Sequence, residues 1–121
     1  MSAHNLHDER RRNNAHRILD IAAAATLTIG QCRDNAIVKI NTTAGAVPVT
    51  LPAPCDALKG VDLTVLNYGE DDTNDATVVN TGGFGGGAGD GSDTVTLASG
   101  DMAKILCDGA AWYALSHTTP A

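Results

Sequence analysis

Large side chains are scarce in this sequence. Of its 121 residues only Tyr68, Phe84, Trp112 and Tyr113 are aromatic. The hydrophobic fraction is still 43%, which separates the chain from compositionally disordered proteins. Much of that fraction is Ala and Val, and small side chains build a thin core with little stability to spare. Burial completed by a partner is therefore expected. Cysteine is also sparse and odd in number, with Cys32, Cys55 and Cys107 and no CxxC spacing. That is not the even, closely spaced set of a disulfide framework. Reduced thiols acting as small hydrophobes are expected, with a single bridge as the alternative. No apolar run approaches the roughly 18–20 residues of a membrane-spanning helix. Ile18–Ala25 is too short and Ala-rich for a secretory signal core, so no membrane partner and assembly in a cytoplasm are expected.

Charge is unevenly distributed along the chain. The net charge is −6, yet the first twenty residues carry Arg10, Arg11, Arg12 and Arg17 against Asp8, Glu9 and Asp20. The remainder carries Arg33, Lys39, Lys59 and Lys104 against eleven acids. An acidic body repels nucleic acid, and the arginines of the first segment suit salt bridges with a protein surface.

A length of 121 residues fits one domain. Ile18, Ile21, Ala22 and Ala25 follow an i, i+3, i+4, i+7 stripe, which predicts a short helix over 8–24. Residues 1–25 are read as a helical or extended arm and 26–121 as a β-domain. From Thr26 the apolar period becomes two. Candidate strands are 26–29, 36–41, 47–51, 61–66, 76–80, 94–97, 102–107 and 112–116. About eight short strands with turn residues every 8–12 positions or so predict an all-β fold, a small jelly-roll-like sandwich or barrel. Ser99-Gly100-Asp101 and Asp108-Gly109 read as hairpin turns, and Pro48 places its strand at an edge or bulge.

Motifs of chemistry are weak. Residues 82–91 hold seven glycines around Phe84. No GK[ST] accompanies them and a strand follows, so a bent surface loop is read rather than a phosphate cradle. Glu70, Asp71, Asp72, Asn74 and Asp75 lack the EF-hand order and read as a solvated loop. His4, His7, His16 and His117 complete no zinc pattern, and no nucleophile motif is present. Neither a metal, a cofactor nor an enzymatic activity is expected.

Four segments in order are VPVTLPAP over 47–54, KGVDLTVLNYG over 59–69, TVTLASG over 94–100 and LCDGAAWYAL over 106–115. Together they resemble a β-module of tailed-bacteriophage fibres and capsid decoration (cement) proteins. Leu51, Pro52, Gly60, Asn67, Gly69, Gly100, Asp108, Gly109, Trp112 and Tyr113 carry the resemblance. It implies a trimeric virion component on the outer capsid surface, with the major capsid protein and its own copies as partners. Under it, Leu6, Arg10, Arg11, Arg12, Ile18 and Ile21 are expected to grip the shell. Phe84, Trp112 and Tyr113 are expected between protomers. A short arm favours decoration over the alternative, a short head or tail fibre knob binding host glycans.

Overall fold

The computed structural model describes residues 17–69, 73–85 and 93–118. Among the described residues, nine strands form two mixed sheets that do not close into a barrel. They are β1 (Ile18–Ile21), β2 (Ala25–Thr26), β3 (Ile37–Ile40), β4 (Val47–Thr50), β5 (Asp62–Asn67), β6 (Ala76–Val79), β7 (Thr94–Leu97), β8 (Met102–Cys107) and β9 (Trp112–Thr118). Strands β1, β3 and β5 run parallel in one sheet, and β2, β4 and β6 run parallel in the other. Each of three successive turns of the chain thus adds one strand to each sheet. The direction then reverses: β7 lies antiparallel on β6, β8 on β5 and β9 on β8. The five-stranded sheet has the order β1-β3-β5-β8-β9 and the four-stranded sheet β2-β4-β6-β7.

Strict alternation produces the core. Val38, Ile40, Leu63, Val65, Ala103, Ile105, Cys107, Trp112 and Ala114 from the larger sheet join Val47, Val49, Ala76, Val78, Val95 and Leu97 from the smaller one. One hydrophobic cluster therefore holds both sheets. β-Branched residues dominate it because they fit the pleat and lose little side-chain freedom there. Pro48 is exposed. The amides of Val47 and Leu51 donate toward β6, so the nitrogen of Pro48 faces the other side. There β2 pairs only with Val49 and Thr50, and no ladder bond is lost.

Three expectations are corrected. Ile18–Ile21 is a strand rather than part of a helix over 8–24, and it pairs with β3. Short apolar runs satisfy both periods, and docking beside an existing parallel edge decides for the strand. The predicted strand over 26–29 is shorter, and Ile29–Asp34 forms a helix, α1. Its start is a capping box. The Thr28 hydroxyl accepts from the Gln31 amide at 3.1 Å, and the Gln31 side chain accepts from the Thr28 amide at 2.9 Å. Ser99-Gly100-Asp101 does not close a hairpin, because β7 and β8 belong to different sheets. It carries the chain across instead, with Gly100 at φ +87°.

That crossing is fastened by buried Asn67. Its side-chain nitrogen donates to Leu97 O at 2.9 Å and Asn74 O at 3.3 Å. Its side-chain oxygen accepts from the Thr42 hydroxyl at 2.8 Å and the Gly69 amide at 3.1 Å. Replacing Asn67 with Ala leaves several buried groups without partners. The expected loss is about 3 kcal/mol or more, read as a lower urea midpoint. Gly69→Ala is expected to cost about 1–3 kcal/mol in the same measurement, because a Cβ there collides with Thr42.

Candidate interaction surface

The five-stranded sheet turns a second, outward face away from the core. Register places Asp20, Lys39, Leu66 and Met102 in one row across β1, β3, β5 and β8. Ile18, Ile37, Thr64 and Lys104 form the next row, and Asp62, Leu106 and Tyr113 a third across β5, β8 and β9. Ile18 is 46% exposed and Met102 41%, two of the three exposed large hydrophobics among the described residues. Ile37, Leu66, Leu106 and Tyr113 are half-buried.

Charges on this face are arranged in pairs. Lys104 lies 3.4 Å from Asp62 with both side chains about half exposed, which makes the pair weak in energy and neutral in sign. The Lys39 ammonium sits 4.3 Å above the Tyr68 ring, a cation–π contact. The Tyr68 hydroxyl reaches Asp20 at 3.5 Å. Two acids and two lysines cancel. The outward face of the four-stranded sheet is different: it presents Thr26, Pro48, Thr50, Thr77, Val79, Thr94 and Thr96, with no charge. Exposed acids lie between the strands instead, at Asp34, Asp56, Asp75, Asp93 and Asp108.

The residues expected to make contacts are scattered by this fold. Leu6, Arg10, Arg11 and Arg12 lie outside the described residues. Ile18 and Ile21 would share a helical stripe, but on a strand they take opposite faces. Ile18 is outward, whereas Ile21 is 8% exposed and joins the core. Phe84 and Trp112 are also core residues, so neither is available to a second chain. The Trp112 indole is sealed in and donates to Pro52 O at 2.8 Å, tying β9 to the TLPAP segment. Of the three residues expected between protomers, only Tyr113 keeps an outward position. Its hydroxyl donates to Asp108 at 3.0 Å, and its ring lies against Gly85, where a Cβ would collide with it. Asp108 also accepts the Ala110 and Ala111 amides at 2.8 Å. These two amides, followed by the tyrosine, hold its carboxyl below the usual range.

Ile37, Leu66, Met102 and Leu106 were not among the expected contact residues. Their signal was legible: β3, β5 and β8 carry apolar residues on both faces, the pattern of strands covered on both sides.

A separate cleft of about 510 Å³ lies between the end of α1 and the 3₁₀ turn Asp56–Leu58. Arg33, Lys59, Asp34, Asp56 and Asp62 line it with mixed charge. Cys32 backs it, and Cys107 lies within electrostatic reach. No group of three metal-ligating side chains occurs among the described residues. Among them, also, no helix is long and apolar enough to cross a membrane.

Burial, then the Cys107 charge, pushes the Cys32 thiol from 9.0 to about 11. Burial is also the main cause that raises Cys107. Well below pH 9 the thiol is protonated in both folded and unfolded chains. Between 9.0 and about 11 the unfolded chain releases the Cys32 proton and the folded chain keeps it. Stability is therefore lost across that window, by about 1.4 kcal/mol per pH unit at the steepest. Chemical denaturation of wild type and Cys32→Ala over this range should show a shallower decline in the variant. Compared with known proteins, the chain matches no family model and no curated protein.

Proposed function

We propose that this chain is a structural virion protein, a capsid decoration protein that sits on the outer surface of a tailed-phage shell. Three copies associate, each with its sheets stacked as a small sandwich. The segment preceding β1 reaches across major capsid protein subunits and staples them. Binding the assembled shell but not its separated subunits stabilises the shell by linkage, and three linked arms gain avidity through effective concentration.

One observation carries the reading: the four segments that resemble the phage module are one another's partners. TLPAP receives the Trp112 indole of the DG..WY segment at Pro52 O. The NYG segment is bonded to TVTLASG through Asn67 to Leu97 O and Gly100 N to Asn67 O. Ser99 Oγ to Gly69 O, 2.7 Å, adds a third link. Motifs that hold one module together in space, in an order shared with that module, support common architecture more strongly than their separate spellings. Ile18, exposed on the edge strand next to the arginine-bearing segment, supplies an apolar start to the arm.

The test is co-sedimentation with undecorated shells of the protein's own virus. The full chain should bind and raise the temperature at which shells open. Deleting residues 2–16 leaves β1 in place. Shell occupancy should then fall while the far-ultraviolet circular dichroism of the β-body is retained. Equal decoration by the truncated chain, or no binding by the full one, contradicts the proposal. Glycan binding by the isolated protein would favour a fibre knob.

A further inference from the structure

We infer that the outward face of the five-stranded sheet, centred on Ile37, Leu66 and Met102, is the surface through which copies of this chain pack together. The inference rests on the self-association proposed above and names its surface, since Phe84 and Trp112 are consumed by the core of a single chain.

Three observations carry it. First, β1, β3 and β5 are parallel, and parallel strands normally have both faces covered. Here one face packs on the core, and among the described residues no element lies over the other. Ile18 and Met102 are left 46% and 41% exposed. Second, the charges favour a second copy over a charged partner. The chain carries −6, so two copies repel except through a surface of no net charge. This face balances Asp20 and Asp62 with Lys39 and Lys104, and the closest pair is already joined, Lys104 to Asp62 at 3.4 Å. A basic shell surface would be met better by the acids between the strands. Third, the dimensions are adequate. Five strands about 4.8 Å apart, each four to seven residues at about 3.3 Å, span roughly 19 by 13–23 Å. That is the size of the desolvated centre of an interface burying about 800 Å² per partner.

The charge-free face of the smaller sheet fits less well. Its exposed side chains are mainly threonines, whose polar hydroxyls make their burial less favourable than that of aliphatic side chains. Turned toward a common threefold axis, three copies of the larger face enclose a second apolar core of Ile37, Leu66 and Met102. Tyr113, the Lys104–Asp62 pair and the Lys39–Tyr68–Asp20 group then form its rim.

The test is sedimentation velocity of the full chain across a wide concentration range, alongside Leu66→Glu and the control Thr96→Glu on the opposite sheet. Wild type and Thr96→Glu should sediment as the same oligomer, and Leu66→Glu should associate at least about tenfold more weakly. Should Leu66→Glu fail to fold, wild type alone decides, through oxidation of Met102 by dilute peroxide read by mass spectrometry. Met102 should react more slowly in concentrated than in dilute protein. A wild type that is monomeric throughout overturns the inference, as does a Leu66→Glu oligomer of unchanged strength. So does a Met102 oxidation rate independent of concentration. Shell binding by a monomer would remove this inference and spare the proposed function; an oligomer built on this face that ignores shells would do the reverse.

Discussion

Asn67 is the joint on which the two sheets depend. It ends the central strand of the larger sheet, where four side-chain hydrogen bonds meet: two donated to Leu97 O and Asn74 O, two accepted from Thr42 and Gly69. Its own amide donates to Asp101 O, and its carbonyl accepts from Gly100. Asn74 closes the ring by donating to Thr42 O at 2.8 Å. The residue therefore connects the loop after β3, the loop before β6, the end of β7 and the crossing to β8. A buried amide with every donor and acceptor used rigidifies its surroundings, while the same group left half-satisfied would be costly. The chain switches sheets at nearly every step, and near this pole the switches are held in register by polar geometry rather than by apolar bulk.

Such a joint suits a core this thin. Trp112 is the one large aromatic in the interior apart from Phe84; the rest is mainly Val, Ala, Leu and Ile. Small residues let the sheets approach closely but give each strand little apolar area, so specificity has to come from bonds placed at the ends. Trp112 plays a matching part at β9, through its indole bond to Pro52. The polar pole (Asn67, Gly69 and Gly100) and the indole bond (Trp112 to Pro52) account for half of the residues that carry the resemblance to the phage module. Their roles are architectural, which is why the resemblance speaks to fold first and to function only through it.

Much of the fold could be read from the chain. Alternation located seven of the strands within a residue or two, because β-branched residues at period two have few other uses. The Asp108-Gly109 turn was legible for the same kind of reason: the aspartate caps its own turn and Gly109 takes φ +94°. Which sheet each strand joins was not legible, since period-two patterning reports a face and not a neighbour. That is how the Ser99–Asp101 crossing came to resemble a hairpin. The helix start at Thr28 was present as a capping box but lay among β-branched residues that read equally well as strand. For the candidate surface, aromatic character was the wrong guide. Trp112 and Phe84 are large enough that a chain short of bulk keeps them for itself. The aliphatics of β3, β5 and β8 that alternate with the core, Ile37, Leu66, Met102 and Leu106, are the ones left outside it.

The Asn67 joint belongs to the global fold rather than to a local clasp. Native-state hydrogen exchange measures this amide by amide. The amides of Asn67, Gly69 and Gly100 should open with the same free energy as core amides such as Val65 and Ile105, since breaking the joint separates the sheets. Exchange of those three amides through a far cheaper local opening, with the core strands still protected, would contradict it.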